Sequence, residues 1–363
     1  MKVLQFCYSL IPGGAERFVL DITNELAKNN ETFLYVLRDD TIGDQGFYVP
    51  EISNDVKYVN LKIDRGFNPI LIWKFYKILK QQKPDLVHCH LNLVNYFFIL
   101  SVVFYKRIKF VYTVHNSAES ESKSRLERII RRFFFKHSFF IPVAISDETK
   151  DSYRDFYKLK EVTVIYNGRS FSGKTAEYEQ TVKEIAALKQ KANTLVFCHL
   201  AHYREQKNQR MLISVFNRLR TDGFDAILLV IGAGFEDAVE LKGIALDHIH
   251  FLGIRSNIYD YLYASDAFCL SSVFEGMPIS LIEAFACGCV PICTPVGGIK
   301  NTIENGVTGF LSKTVSEEDY FDSIKEFISK KNIISKDVLI KYYNDNFSIE
   351  ECTKNYIRIY SEK

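Results

Sequence analysis

The sequence predicts an α/β protein made of two doubly wound, parallel-sheet units in tandem. Three observations carry this. Strand-like apolar runs alternate with helix-like amphipathic segments from one end to the other, the pattern of parallel strands joined by helical crossovers. A chain of 363 residues is long enough for two domains of ordinary size, each with its own core. A polar stretch at 169–193, rich in Ser, Gly, Lys and Glu, separates the two series and reads as a linker plus a helix.

In the first unit, residues 3–9 are mostly apolar and read as a strand. Ile11-Pro12-Gly13-Gly14 breaks it, and a helix follows over 15–28. Residues 32–37 and 56–61 are further strands. The amphipathic spacing of 69–82 predicts a helix. Residues 85–90, 109–114 and 139–144 are short, nearly continuous apolar runs, as buried parallel strands should be. A strand over 162–166 ends at the turn signal Asn167-Gly168. The second unit starts with a strand at 195–200 and a helix at 208–220. A strand at 226–231 runs into Gly232-Ala233-Gly234. Strands at 249–252, 267–270 and 290–293 follow, with helices at 279–287, 317–329 and 349–360. The expected domains are 1–168 and 194–345, with 346–363 as a terminal helix. Two such units would set ligands at the C-terminal strand ends, in a cleft between them.

The composition, 47% apolar and 25% charged, is that of a soluble globular protein. No stretch reaches the length of a membrane span; the longest apolar run, 91–104, carries Asn92 and Asn95. The apolar residues 3–11 are too few for a secretory signal core. The eight cysteines show no metal spacing, and Cys287, Cys289 and Cys293 read as small apolar packing. The expected compartment is therefore the reducing cytoplasm.

Net charge is +2 but uneven: residues 65–137 hold 14 Lys/Arg against 4 Asp/Glu, a balance of +10. No nucleic-acid module accompanies this patch, so no nucleic-acid partner is expected. Residues 123–136 place Arg125, Arg128, Arg131, Arg132 and Lys136 among Leu126, Ile129, Ile130 and three phenylalanines at helical spacing. Two readings stay open: a core-packed helix with a charged outer face, or peripheral contact with an anionic membrane at its inner face.

The densest chemistry lies in SSVFEGMPISLIEAFACGCVPICTPVGG, residues 271–298. Glu275 and Glu283 are separated by seven residues. Glu275-Gly276-Met277-Pro278 is a turn, and Pro278 suits the first position of the helix that continues through Ile279 and Ser280. The N–H groups at that helix start form an anion site. Glu283 sits among Leu281, Ile282, Ala284 and Phe285, where a charge needs a partner or a ligand. An anion site flanked by two acceptor carboxylates fits a diphosphate with a sugar on one side and a ribose on the other. After the first strand, Gly13 and Gly14 permit close backbone approach to a phosphate or sugar. His88 and His90 are read as pointing to opposite faces of their strand, which argues against a metal site, and no metal ligands are assigned.

The run with Glu275 and Glu283 resembles the E-x7-E signature of retaining family-4 glycosyltransferases, with the surrounding EG-P-L-EA-A-G-P-GG residues present. The resemblance extends to Gly13-Gly14-Ala15-Glu16-Arg17, to Lys83-Pro84-Asp85 with His88 and His90, and to Thr113-Val114-His115. It continues through Asn167-Gly168, Lys207-Asn208, Gly232-Ala233-Gly234 and Phe251-Leu252-Gly253-Ile254-Arg255. It implies the GT-B fold, two facing Rossmann-like domains, with the terminal helix crossing back to the first. It implies Gly14 facing a phosphate, and Gly13, Glu16 or Arg17 on the acceptor side. His115 would contact the donor sugar, Lys207 the diphosphate, Gly232 and Gly234 the nucleotide, and Arg255 the segment at the base. Glu275 would hold donor-sugar hydroxyls and Glu283 the ribose. One departure stands out: Ala201 and His202 occupy the positions of a family Gly and Arg, and imidazole stabilises less charge than guanidinium. Arg204 substitutes, or His202 acts protonated, or activity is weak.

The implied activity is metal-independent, cofactor-free transfer with retention. A hexose or N-acetylhexosamine would move from a nucleotide-diphosphate sugar, a UDP-sugar foremost. The acceptor would be a saccharide or lipid-linked saccharide in cell-surface polysaccharide biosynthesis, such as capsule or lipopolysaccharide. The alternatives are a sugar-nucleotide 2-epimerase on the same fold and a non-catalytic partner subunit that binds the sugar nucleotide.

Overall fold

The computed structural model describes residues 1–63, 68–122, 124–330 and 333–362. Lys123, the first residue of the basic stretch 123–136, lies outside them, as does Arg65. The chain divides into two compact units, Met1–Ser170 with Ser348–Lys363, and Phe171–Phe347.

The first unit is built on seven parallel strands: β1 (Lys2–Cys7), β2 (Glu31–Val36), β3 (Lys57–Asn60), β4 (Leu86–His90), β5 (Lys109–Val114), β6 (Ile141–Ala144) and β7 (Thr163–Val164). Their order is β3-β2-β1-β4-β5-β6-β7, so the winding reverses between β1 and β4. Both faces of the sheet are covered, which is why the strands read as apolar throughout. On one face, Leu4, Phe6, Val87 and Tyr112 pack with Phe75, Phe97 and Phe135. These come from helices Ile70–Gln82, Val94–Val103 and Arg125–Lys136. On the other, Val3, Leu86 and Val111 pack with Phe18 and Ile22 of helix Gly14–Ala27 and with Ile349, Cys352 and Tyr356. The last three lie on one stripe of helix Ile349–Ser361, whose N-terminus Ser348 caps through Glu351 N–H at 3.3 Å.

The second unit has six parallel strands: β8 (Leu195–Leu200), β9 (Ala226–Ile231), β10 (Ile249–Gly253), β11 (Ala267–Leu270), β12 (Val290–Cys293) and β13 (Phe310–Leu311). The order β10-β9-β8-β11-β12-β13 reverses between β8 and β11. The stretch expected as a linker belongs to this unit from Phe171 onward. Its helix, Tyr178–Leu188, is held by Asn257 Nδ2 donating to Thr181 Oγ1 at 2.8 Å and Tyr261 OH donating to Glu184 Oε2 at 2.7 Å. All eight cysteines are free and buried. Among the described residues, no helix is long and apolar enough to cross a membrane.

Candidate active site

The reversal between β8 and β11 opens a crevice at the carboxyl ends of these strands, where open α/β sheets receive ligands. Two loops leave the strands there, 201–207 after β8 and 271–278 after β11. They are tied together by backbone and side chain. Val273 N–H donates to Gln206 O at 2.9 Å, and Gln206 Nε2 donates to Phe274 O at 2.7 Å. Ser271 Oγ donates to Lys207 O at 2.9 Å. The outcome is an ion pair: Lys207 Nζ lies 2.5 Å from Glu275 Oε1, which also accepts from Ser272 Oγ at 2.6 Å. Glu275 is buried and Ser272 fully so. Thr294, at the end of β12, donates to Ser272 O at 2.5 Å. A carboxylate in this position must be bonded, and Lys207 with Ser272 supply the bonds.

Helix Ile279–Ala286 starts directly after this loop. Pro278 has φ −72° and ψ 125°, so it is the cap residue, and Ile279 rather than Pro278 takes the first helical position. Pro278 O is the acceptor for Leu281 N–H at 3.2 Å, while the N–H groups of Ile279 and Ser280 precede any helical acceptor. Gly276 O accepts from Gly298 N–H at 2.8 Å, which fixes the loop against the turn after β12. Met277 and Glu283 are buried in this helix-start region.

The first strand of this unit ends on a second polar chain. His199 Nδ1 pairs with Cys269 O at 2.9 Å, and Gln209 Nε2 donates to His202 O at 2.9 Å. Burial pushes His199 down to about 4, against the pull of the Cys269 carbonyl, and nearby Lys207 lowers it further. His202 is half-buried and Arg204 exposed.

Gly232 has a packing reason for being glycine. Its φ is +149°, and a Cβ there would stand 2.0 Å from Ala201 O. The ends of β8 and β9 thus approach more closely than a side chain permits. Gly234, with φ +85°, faces Tyr203. Arg255 is already engaged within its unit, Nε donating to Tyr261 OH at 2.9 Å and Nη2 to Glu184 Oε1 at 3.3 Å. The resemblance puts the backbone of the segment ending at Arg255 at the base, and the Arg255 guanidinium itself is held by a carboxylate and a phenol of its own unit.

In the first unit, a line of histidines ends at the carboxyl edge of β4 and β5. His115 Nε2 is 3.5 Å from His90 Nδ1, and His90 Nε2 is 2.8 Å from Gln5 Oε1. Because the Gln5 oxygen accepts from His90 Nε2–H, His90 Nδ1 faces His115 as an acceptor, and His115 keeps its proton on Nε2. Burial holds His115 down to about 4, so its ring is neutral near pH 7, with Nδ1 as the lone-pair nitrogen. His88 pairs with Thr113 Oγ1 and with Tyr360 OH, each at 2.7 Å. The expectation that His88 and His90 point to opposite faces is wrong. Residues two apart on a strand share a face, and the rings lie 4.2 Å apart. What argues against a metal is that all four of their ring nitrogens are paired. Among the described residues, no three His, Cys, Asp or Glu side chains gather as a ligand set.

Gly13 is extended, with φ −167°, and caps helix Gly14–Ala27, beside the Glu16 carboxylate. Gly14 is exposed at the helix start. Arg17 is drawn elsewhere. It donates to Asp21 Oδ1 at 3.1 and 2.9 Å, pairs with Glu51, and lies over the Tyr48 ring. Asp21 also takes Arg169 at 2.7 Å. Arg17, expected on the acceptor side with Gly13 and Glu16, is thus ion-paired within the first unit.

The structure thus joins Lys207 to Glu275 beside the start of helix Ile279–Ala286, and His115 to His90. The reading from residues missed Ser272, Thr294 and the link from His90 to His115. Ser271-Ser272 directly after a buried strand was the signal available for the first; nothing local announces the other two.

Comparisons with known proteins agree on a family. Glycosyl transferases group 1 matches over residues 181–344 and Glycosyltransferase Family 4 over residues 12–170. The chain is 26% identical to the N-acetylgalactosamine-N,N'-diacetylbacillosaminyl-diphospho-undecaprenol 4-alpha-N-acetylgalactosaminyltransferase of Campylobacter jejuni, over 89% of each chain. It is 23% identical to the UDP-Gal:alpha-D-GlcNAc-diphosphoundecaprenol alpha-1,3-galactosyltransferase of Escherichia coli, over 84% of this chain and 80% of that one. The fold is similar to that of Anabaena HepE in complex with UDP-glucose, with a TM-score of 0.79, 18% identity and 99% of both chains covered. Two parallel-sheet α/β domains of this kind make the fold GT-B.

Proposed function

The chain belongs to the family-4 glycosyltransferases, and on that premise we propose that it transfers a hexose or N-acetylhexosamine with retention at the anomeric carbon. The donor is a nucleotide-diphosphate sugar and the acceptor a saccharide or lipid-linked saccharide of cell-surface polysaccharide assembly. The carrying observation is the arrangement at the β8/β11 reversal: a lysine, a buried carboxylate and the open start of a helix, all within one crevice edge. It offers cationic and N–H donors to a diphosphate and a carboxylate to hydroxyls beside it.

In this reading the barrier is set by charge building on the leaving diphosphate. Lys207, the N–H groups at Ile279 and Ser280 and the Gly14 backbone take that charge in place of a metal ion. Glu275 holds donor-sugar hydroxyls and Glu283 the ribose. His115, neutral and oriented by His90, accepts from a sugar hydroxyl through Nδ1. The leaving phosphate takes the acceptor's proton. The UDP-galactose named for the Escherichia coli relative and the UDP-glucose bound to HepE support a UDP-sugar as donor. The undecaprenol-linked acceptors named for the two bacterial relatives support a lipid-linked acceptor and work at a membrane surface.

A thermal-shift screen against UDP, GDP, ADP and their sugars tests the donor site. A ligand at about 100 times its dissociation constant adds roughly 2.7 kcal/mol of stability. Stabilisation by uridine nucleotides, lost in Glu283→Ala, is expected. Stabilisation by none would move the non-catalytic reading to the front. With a donor identified, the anomeric configuration of the product and turnover in EDTA test retention and metal independence.

A further inference from the structure

Helix Arg125–Lys136 buries an arginine and exposes apolar side chains. Its buried residues are Arg131 and Phe135. Arg131 is wholly buried, its guanidinium donating to Glu121 at 3.3 Å, to Glu127 at 3.0 Å and to Asn92 at 3.0 Å. Phe134 and Phe135 pack on the core, but Leu126 (67%), Ile129 (58%) and Phe133 (50%) are exposed. A surface helix of a soluble domain distributes these classes the other way round. Of the two readings, core packing holds for Phe134 and Phe135, while the outer face carries apolar side chains among its charges.

The exposed apolar face continues onto its neighbours. Asn95 Nδ2 donates to Glu127 Oε1 at 3.0 Å, and Phe98 stacks on Phe134 with centroids 4.7 Å apart. Helix Val94–Val103 therefore lies alongside and presents Ile99, Val102 and Val103 outward. The Tyr76 and Phe104 rings, 5.7 Å apart, join helix Ile70–Gln82 to it. There Trp73 is 58% exposed, with Lys77 Nζ 5.3 Å from its ring. A contiguous apolar surface of this kind marks an interaction site.

Charge selects the occupant. The three helices lie within residues 65–137, where 14 Lys/Arg face only 4 Asp/Glu. Two of those acids, Glu121 and Glu127, are bonded to Arg131, while Arg125, Arg132 and Lys136 are exposed. A two-fold interface with a second copy would set this basic surface against itself. An anionic surface has the complementary sign, and tryptophan beside lysine suits a headgroup layer.

We propose that these three helices form a docking face for a bilayer containing anionic lipid. Leu126, Ile129 and Phe133 enter the headgroup–acyl boundary while the surrounding arginines and lysines meet the headgroups. The proposal rests on the transfer reading only through the acceptor, and vesicle binding needs neither substrate. The test is flotation of the full chain with phosphatidylcholine vesicles and with vesicles carrying one-third phosphatidylglycerol, at low and raised salt. Binding to anionic vesicles, weakened by salt, is expected, at least about tenfold above binding to neutral ones. Leu126→Gln/Ile129→Gln, which alters no core contact, should lower it by about tenfold. Its melting temperature and nucleotide-induced thermal shift should stay as in the wild type. Absent binding at low salt, equal binding to neutral vesicles, or wild-type binding by the variant would overturn the proposal. So would a wild-type dimer that the variant lacks, in a chain that ignores vesicles; the face would then belong to a second copy.

Discussion

Lys207 Nζ stands 2.5 Å from Glu275 Oε1, across the point where the second sheet reverses its winding. The cation proposed for the diphosphate and the carboxylate proposed for the sugar are thus partners of each other before any ligand binds. A diphosphate arriving there competes with Glu275 for Lys207.

That competition has a measurable consequence. Glu275→Gln keeps the shape and the Ser272 contact but frees the lysine. UDP affinity should rise roughly twofold to fivefold, the value of a partly exposed ion pair, while turnover falls by about 100-fold or more. Titration calorimetry with UDP decides. Weaker UDP binding would mean that Glu275 supports the nucleotide site rather than competing at it.

Gly232 and Gly253 both have positive φ, at +149° and +68°, but only Gly232 has backbone where a Cβ would go. Gly232→Ala should destabilise the second unit by about 3 kcal/mol or more, through strain and the Ala201 clash. Gly253→Ala should cost about 1 kcal/mol. Melting curves with equal losses for the two would contradict the close approach of β8 and β9.

Buried histidines set an acid limb. His115 and His199 are held by burial at about 4 when folded, His88 at about 3 and His90 well below its ordinary value. Above the unfolded value near 6.5 both states are neutral and nothing is at stake. As pH falls below 6.5 the unfolded chain takes up protons that the folded chain refuses, so stability declines towards pH 4. His199→Asn should shallow this decline in urea melts between pH 6.5 and 4.5, above most carboxylate titration. An unchanged slope would place the proton uptake elsewhere.

The Arg131–Glu121 pair lies in the core of the first unit, 0% and 4% exposed. Arg131→Ala should cost about 3–5 kcal/mol because it strands the Glu121 carboxylate beside Tyr112 and Tyr153. Replacing both, Arg131→Met with Glu121→Leu, should recover most of that loss. A double variant no more stable than the single one would show that the tyrosines, not the arginine, govern the carboxylate.

Much of the fold was legible because parallel strands buried on both faces leave unbroken apolar runs. The strands expected at 109–114, 195–200, 226–231, 267–270 and 290–293 carry the observed bounds. Short or polar elements were not legible. β13 has two residues, helix Asp147–Tyr157 is mostly polar, and helix Lys336–Asn346 buries only Leu339 and Tyr343. In the site, Glu275 and Glu283 were found because carboxylates beside an apolar helix demand an explanation. The intra-unit partners of Arg17 and Arg255 were not legible, because an arginine near a glycine turn looks the same whether its partner is a ligand or a neighbouring carboxylate.

What the sequence determined by itself was the order and type of the major elements and the residues able to meet a sugar nucleotide, since periodicity and residue chemistry are local. What only the tertiary structure decided was which of those residues meet. Lys207 and Glu275 are 68 residues apart, and His90 and His115 are 25 apart. Strand order, not spacing, brings each pair together. The inward turn of Arg131 was likewise invisible, because a helical pattern of Arg, Ile and Phe names two faces without saying which one the core will take.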